Sequence, residues 1–171
     1  MSVVAFEALP DHARLWIYGA EREFSSDEET QLAQQLAVFL AQWTAHKREL
    51  QTAFAIRHRR FVLVGVDESQ TAASGCSIDA LVRYLRQLEQ AFGLQMVDTH
   101  ARVFYRDPNG DIRCLERPEF KQLVEAGRVD ENTRVFDNTI QTVGALRAGR
   151  WEVPMRASWH GEVFLPSSVT G

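Results

Sequence analysis

The sequence predicts an α+β fold with a mixed or antiparallel sheet, three helices and a small C-terminal subdomain. Two observations support this class. Short runs of β-branched and aromatic residues alternate with long apolar stripes at helical spacing, and two pairs of these runs are joined by tight turns. Hairpins combined with crossover helices are typical of α+β proteins with helices mainly on one face of the sheet. We expect an α/β half over residues 1–98 and a smaller half over 99–171, packed as one compact unit.

The first predicted elements are a strand and a long helix. Leu15–Tyr18 is rich in β-formers. Ser25 and Ser26 are each followed three residues later by a glutamate, the pattern of a capping box at a helix N-terminus. The spacing of the apolar residues that follow predicts a helix over about 26–46. These residues are Leu32, Leu36, Phe39, Leu40 and Trp43.

Two strands and a second helix complete the N-terminal half. Thr52–Ile56 and Phe61–Val66 are predicted strands, and the second is apolar throughout, as a central strand buried on both faces would be. The basic turn Arg57–Arg60 between them is expected to be a solvated hairpin tip. The alternative is a local site for an acidic or phosphate-bearing partner. An apolar stripe from Ile78 to Phe92 predicts the second helix, which Gly93 ends as a C′ glycine.

The C-terminal half begins with a hairpin signal. Asn109-Gly110 separates the predicted strands 101–106 and 111–115, and this dipeptide is among the strongest turn signals. Pro118 favours the first turn of a third helix, which ends at Gly127. The remaining expected elements are strands at 133–136 and 139–143, and an irregular tail from Gly144 that contains Trp151 and Trp159.

Composition limits the function classes. The chain has 171 residues, 45% of them hydrophobic and 25% charged, with a net charge of −4 and one basic block at residues 57–60. These values argue against nucleic-acid and membrane partners. Residues 1–10 do not resemble a signal peptide, and two cysteines, Cys76 and Cys114, are too few for a disulfide framework. We therefore expect a cytoplasmic protein.

The richest chemistry lies between the strand 61–66 and the second helix. Cys76 is expected in the first helical turn, where N–H groups and the helix dipole favour a thiolate. In this interpretation Cys76 is a nucleophile and His46 or His160 is the base. Asp67 or Glu68 orients that base.

The same segment also suggests a binding site for an anion. The predicted binding residues are Ser69, Ser74, Gly75, Ser77, Asp79 and, from the tail, Trp159. N–H groups near Gly75 would stabilise the negative charge. The alternative is that Cys76 is a small buried residue and that Ser74 or Ser77 only caps the helix. No metal or other cofactor is predicted, because the chain lacks the spacings CxxC, HxxH and HExxH.

The tail has two interpretations. It stays ordered only if its large aromatics dock on the rest of the fold. One interpretation is a structural pin across the core. The other is a lid that folds over Cys76 and delivers His160.

Several segments resemble a family of small bacterial proteins of unknown function, often labelled "ABC transporter ATPase". The resemblance covers about residues 6–164. The segments are WTAH at 43–46, VDES at 66–69, ASGCSID at 73–79, WEVP at 151–154 and SWH at 158–160. The chain has no phosphate-loop lysine, so ABC ATPase activity is not expected from its residues. The order and spacing of four further segments also resemble bacterial GYF-type modules, although residues 114–118 replace the Gly-Pro-Phe-like turn of those modules. The segments are 104–105, 120–129, 133–136 and 149–151.

We therefore predict a non-catalytic binding or adaptor protein with an unidentified small-molecule or protein partner and an unknown oligomeric state. The alternative is a thiol-dependent hydrolase or transferase that uses Cys76 on a small acidic or acyl substrate.

Overall fold

A computed structural model describes residues 3–45, 48–69 and 71–166. In this part of the chain the α-helices are α1 Ser26–Gln42, α2 Gly75–Phe92, α3 Arg117–Glu125, α4 Val143–Arg147 and α5 Trp159–Phe164. The strands are β1 Arg14–Gly19, β2 Thr44–Ala45, β3 Arg48–Glu49, β4 Gln51–Arg57, β5 Phe61–Asp67, β6 Arg102–Arg106, β7 Ile112–Glu116, β8 Arg134–Phe136 and β9 Glu152–Pro154.

The N-terminal half is a three-stranded antiparallel sheet with α1 and α2 on one face. The strand order is β1-β5-β4, so β5 is central. Successive side chains of β5 point to opposite faces. Val62, Val64 and Val66 pack with the leucines of α1 and α2, whereas Phe61 and Leu63 face the rest of the protein. A central strand buried on both faces was the prediction for this segment.

The C-terminal half is a four-stranded antiparallel sheet with the order β7-β6-β8-β9. Two helices, α3 and α5, close its own small core. Phe120 of α3 lies edge-on to Phe164 of α5, with ring centroids 5.0 Å apart, and is tilted against Tyr105 at 5.2 Å. These contacts hold the helices against strand β6.

The two halves meet in an aromatic seam, which we define as Phe61, Phe104, Phe136 and Trp151. The ring centroid of Phe61 lies 5.1 Å from those of Phe104 and Phe136 and 4.9 Å from that of Trp151. A Cβ atom on Gly19 would lie 2.5 Å from Phe104, so only glycine allows this approach. The seam buries the outer face of the first sheet against the second.

The α+β class with antiparallel sheets is confirmed, and three of the five helices have seven or more residues. Capping at α1 and α2 also follows the sequence signals. Ser25 and Glu28 form the capping box, and Gly93 adopts a left-handed conformation with φ 64°. Helix α1 ends at Gln42 rather than near 46, because the chain becomes extended at Trp43.

Two local predictions are wrong, and a third holds only in part. Residues 139–143 form one isolated bridge, Arg14 to Thr142, and then begin α4. The tail is not irregular, because it contains α4, β9 and α5. The basic turn 57–60 is solvated only in part. His58 and Arg59 are exposed, but Arg60 is buried, and the His58 ring lies 5.7 Å from those of Phe136 and Trp151.

We predict that Phe61→Ala lowers the free energy of unfolding by about 3–5 kcal/mol, because it removes the fully buried ring that the other three seam residues contact. Phe54→Ala, on the same hairpin but only half-buried, should cost clearly less. Urea denaturation followed by tryptophan fluorescence measures both. Equal losses in the two variants would contradict a central role for the seam.

Candidate functional site

Cys76 lies in the first turn of α2, as its sequence position predicts. Ser74 is the N-cap: its Oγ accepts a hydrogen bond from the Ser77 N–H at 3.1 Å and lies 2.8 Å from the Ser77 Oγ. The Cys76 side chain is exposed, so the interpretation of a small buried packing residue is wrong. Gly75 is also exposed, and a Cβ atom there would meet no atom within 4 Å.

The Cys76 thiol opens on a depression of about 400 Å³ between α1 and α2. Its other lining residues are Phe39, Gln42, Trp43, Ser74, Ser77 and Ala80. The Trp43 indole N–H donates to the Ser77 carbonyl oxygen at 2.7 Å, which ties the end of α1 to the start of α2. No carboxylate or histidine belongs to the described lining.

The two acidic residues before the helix hold the loop. The backbone N–H and the hydroxyl of Ser69 donate to Asp67 Oδ1 at 3.0 and 2.5 Å, and these bonds lower the pKa of Asp67. His12 Nε2 lies 3.4 Å from the same oxygen. Glu68 accepts a hydrogen bond from the Ala73 N–H at 2.8 Å. Both carboxylates therefore have structural partners, and Asp79 is exposed.

The two candidate bases differ. His46 lies outside the described residues. His160 is only 1% exposed, and its Nδ1 lies 2.7 Å from the Ser158 Oγ. Burial lowers the pKa of His160 to about 4. This histidine is therefore a neutral core residue near pH 7.

Trp159 packs on the C-terminal half. Its ring stacks on His160 at 3.8 Å, and the Arg117 guanidinium lies 4.7 Å from its ring centroid. Its indole N–H is buried without a hydrogen-bond partner among the described residues. The described lining at Cys76 contains no tail residue, whereas Trp151 belongs to the seam. These contacts favour the pin over the lid.

A second candidate site lies where the two halves meet. We define the β1 slot as a cleft of about 300 Å³ between residues 14–18 of β1 and the loop 138–141, with Val97 and His100 at its side. The loop begins to pair with β1: the Leu15 N–H donates to the Gln141 carbonyl oxygen at 2.9 Å. Beyond this hydrogen bond β1 and the loop separate, and the slot is the space between them.

The open rung of the slot belongs to Ile17; by a rung we mean the backbone N–H and C=O groups of one residue that face the same edge of the strand. Alternate residues of an antiparallel strand direct their N–H and C=O groups to opposite edges. Leu15 directs its N–H away from β5, so Ile17, two residues later, does the same. Among the described residues, no hydrogen bond to the N–H or C=O of Ile17 is found. One unpaired backbone rung therefore borders the slot.

The opposite wall of the slot is held firmly. The Trp151 indole N–H donates to Asn138 Oδ1 at 2.9 Å, and both the N–H and the hydroxyl of Thr139 donate to Asp137 Oδ1 at 3.0 and 2.5 Å. The sequence prediction missed this site because it treated 139–143 as a strand. The turn-forming run Asp137-Asn138-Thr139 was the available signal that pairing would open here.

Comparisons with known proteins give no relative: no protein-family model, curated protein or solved structure matches the chain. No helix in the described ranges is long and apolar enough to cross a membrane. Within the same ranges, no group of three or more histidine, cysteine, aspartate or glutamate side chains could hold a metal ion.

We predict that folding stability falls as the pH drops from about 6.5 to 4. The pKa of His160 is lower in the folded than in the unfolded chain, so the unfolded state binds its proton first, and stability present above pH 6.5 is lost. The loss attributable to His160 should reach about 3 kcal/mol at pH 4. Urea denaturation across this range measures it. His160→Gln should flatten the profile, and an unchanged profile in this variant would contradict the assignment.

Proposed function

We propose that the chain is a non-catalytic binding protein of the cytosol that docks an extended polypeptide segment in the β1 slot. The observation that carries this proposal is the unpaired backbone rung of Ile17 beside a cleft lined by both halves. A cytosolic location is consistent with two cysteines that form no disulfide.

The chemistry of the slot suits a peptide. An edge strand offers N–H and C=O groups at the spacing of another strand, and proteins commonly bind extended peptides by adding a strand to such an edge. The loop residue Gln141 already uses the neighbouring rung at Leu15. A segment that bonds to Ile17 would continue this ladder. The volume of about 300 Å³ accommodates only a few residues, so we expect a short motif and modest affinity.

The non-catalytic part of the proposal rests on the partners of the predicted catalytic groups. Asp67 and Glu68 accept hydrogen bonds from the loop backbone, and His160 is buried against Trp159. Each of these groups therefore has a structural role.

Backbone NMR tests the docking proposal, because neighbouring residues of β1 provide an internal control. A mixture of N-acetylated pentapeptide amides of randomised sequence serves as the probe. We expect the Ile17 amide signal to shift and its hydrogen exchange to slow. The amides of Trp16 and Tyr18, which face β5, should change much less.

A substitution that fills the slot provides the matched control. His100→Trp should weaken the peptide-induced shift at least tenfold, because the exposed His100 borders the slot. His12→Trp, at an exposed histidine outside the slot lining, should leave the shift unchanged. Equal shifts at Ile17 and Trp16, or binding unaffected by His100→Trp, would contradict the proposal.

Thiol chemistry remains a second candidate function, because Cys76 is exposed in the first turn of an 18-residue helix. Iodoacetamide labelling of Cys114→Ser, which leaves Cys76 as the single thiol, tests it. A thiolate nucleophile requires a labelling rate that is already maximal near pH 6.5. A rate that climbs through about pH 8.5, where ordinary thiols ionise, would exclude this function.

A further inference from the structure

We propose that a second copy of this chain packs on the exposed side of α1, independently of the binding function above. We define the α1 face as the exposed residues of this helix after its first turns: Gln31, Gln34, Gln35, Val38, Ala41 and Gln42. No charged side chain occurs between Thr30 and His46, although a quarter of the chain is charged.

An uncharged outer face is unusual for a surface helix. Helices of globular proteins typically carry charged residues on the side away from the core. The centres of protein interfaces are, in contrast, depleted in charge. Val38 is 63% exposed in the middle of the α1 face, and it is one of two large apolar residues exposed to this degree in the described ranges. The α1 face therefore has the composition of an interface centre.

An apolar depression lies beside Val38 on the α1 face. A depression of about 380 Å³ is lined by Gln34, Gln35, Val38, Phe39, Gln42 and Tyr84. Its floor is formed by the rings of Phe39 and Tyr84, which stack nearly parallel with centroids 4.4 Å apart. Each copy thus has a projecting apolar side chain and an apolar depression next to it. In a twofold interface, Val38 of each copy would enter the depression of the other.

The polar residues of the α1 face favour an identical partner. Each copy has a net charge of −4, and a face without charged side chains keeps like charges out of the contact between two copies. A glutamine amide both donates and accepts hydrogen bonds, and so it can pair with another glutamine. Four of the six residues on the face are glutamines. A strongly acidic or basic partner would find no opposite charge here.

The expected dimer is weak. Gln31 to Gln42 spans about 17 Å of helix, and two faces of this length form a contact at the small end of specific interfaces. We therefore expect a dissociation constant in the micromolar range. The deletion of one apolar anchor should then shift the equilibrium measurably.

Sedimentation velocity of the full chain from about 5 to 500 µM tests the proposal. We expect the wild-type sedimentation coefficient to rise with concentration. Val38→Glu should remain monomeric, because it places a carboxylate of each copy in the apolar depression of the other. Val163→Glu is the matched control, since Val163 is 54% exposed on α5, away from the α1 face. This variant should dimerise like the wild type.

Two further outcomes decide the proposal. Gln35→Lys should weaken dimerisation at least tenfold without affecting the fold, which circular dichroism checks for every variant. A wild-type protein that is monomeric at all concentrations would overturn the proposal. Equal association of the Val38→Glu and wild-type proteins would overturn it as well.

Discussion

The packing of Phe61 across the seam is the contact on which the rest of the structure depends. The ring is fully buried between the two sheets and meets three aromatic residues of the C-terminal half at 4.9–5.1 Å. Aromatic pairs at such distances contribute beyond the area they bury. The first sheet has only three strands, and its helices cover one face. The seam covers the part of the other face around Phe61, and Phe6 and Leu9 of the N-terminal segment pack in the same cluster.

Most of the N-terminal half could be predicted because its elements are determined locally. The apolar run of β5, the capping box at Ser25 and the glycine at position 93 each act within a few residues. Antiparallel pairing follows from short connections, as in the hairpin of β4 and β5. Each of these signals acts within a single strand, helix or turn, so it can be recognised without knowing the tertiary structure.

The C-terminal tail could not be predicted because its elements are set by what they dock against. Helix α4 has five residues and α5 has six, too few for a periodic stripe. Strand β9 exists because it pairs with β8, and Trp151 is buried because the seam receives it. Isolated helices of this length are unstable in water, so tertiary contacts decide their formation. The sequence shows that the tail contains large aromatic residues, but not which residues they pack against.

The candidate site, too, could be predicted from the sequence only in part. The sequence located Cys76 in a first helical turn, but the exposure of its thiol and the hydrogen bonds of Asp67 and Glu68 depend on loop geometry. The β1 slot has no sequence motif, because its open rung is backbone and its far wall comes from residues more than a hundred positions away.

The seam and the slot are physically linked through Trp151. The indole ring lies nearly perpendicular to that of Phe61, and its N–H donates a hydrogen bond to Asn138 in the wall of the slot. The strand pairing between β1 and residues 141–142 begins next to this wall and opens at Ile17. A segment bound at Ile17 would therefore contact β1 and the loop 138–141, and so both halves of the chain. Its binding energy would add to the packing that joins the two halves, because a ligand that binds only the folded arrangement stabilises that arrangement.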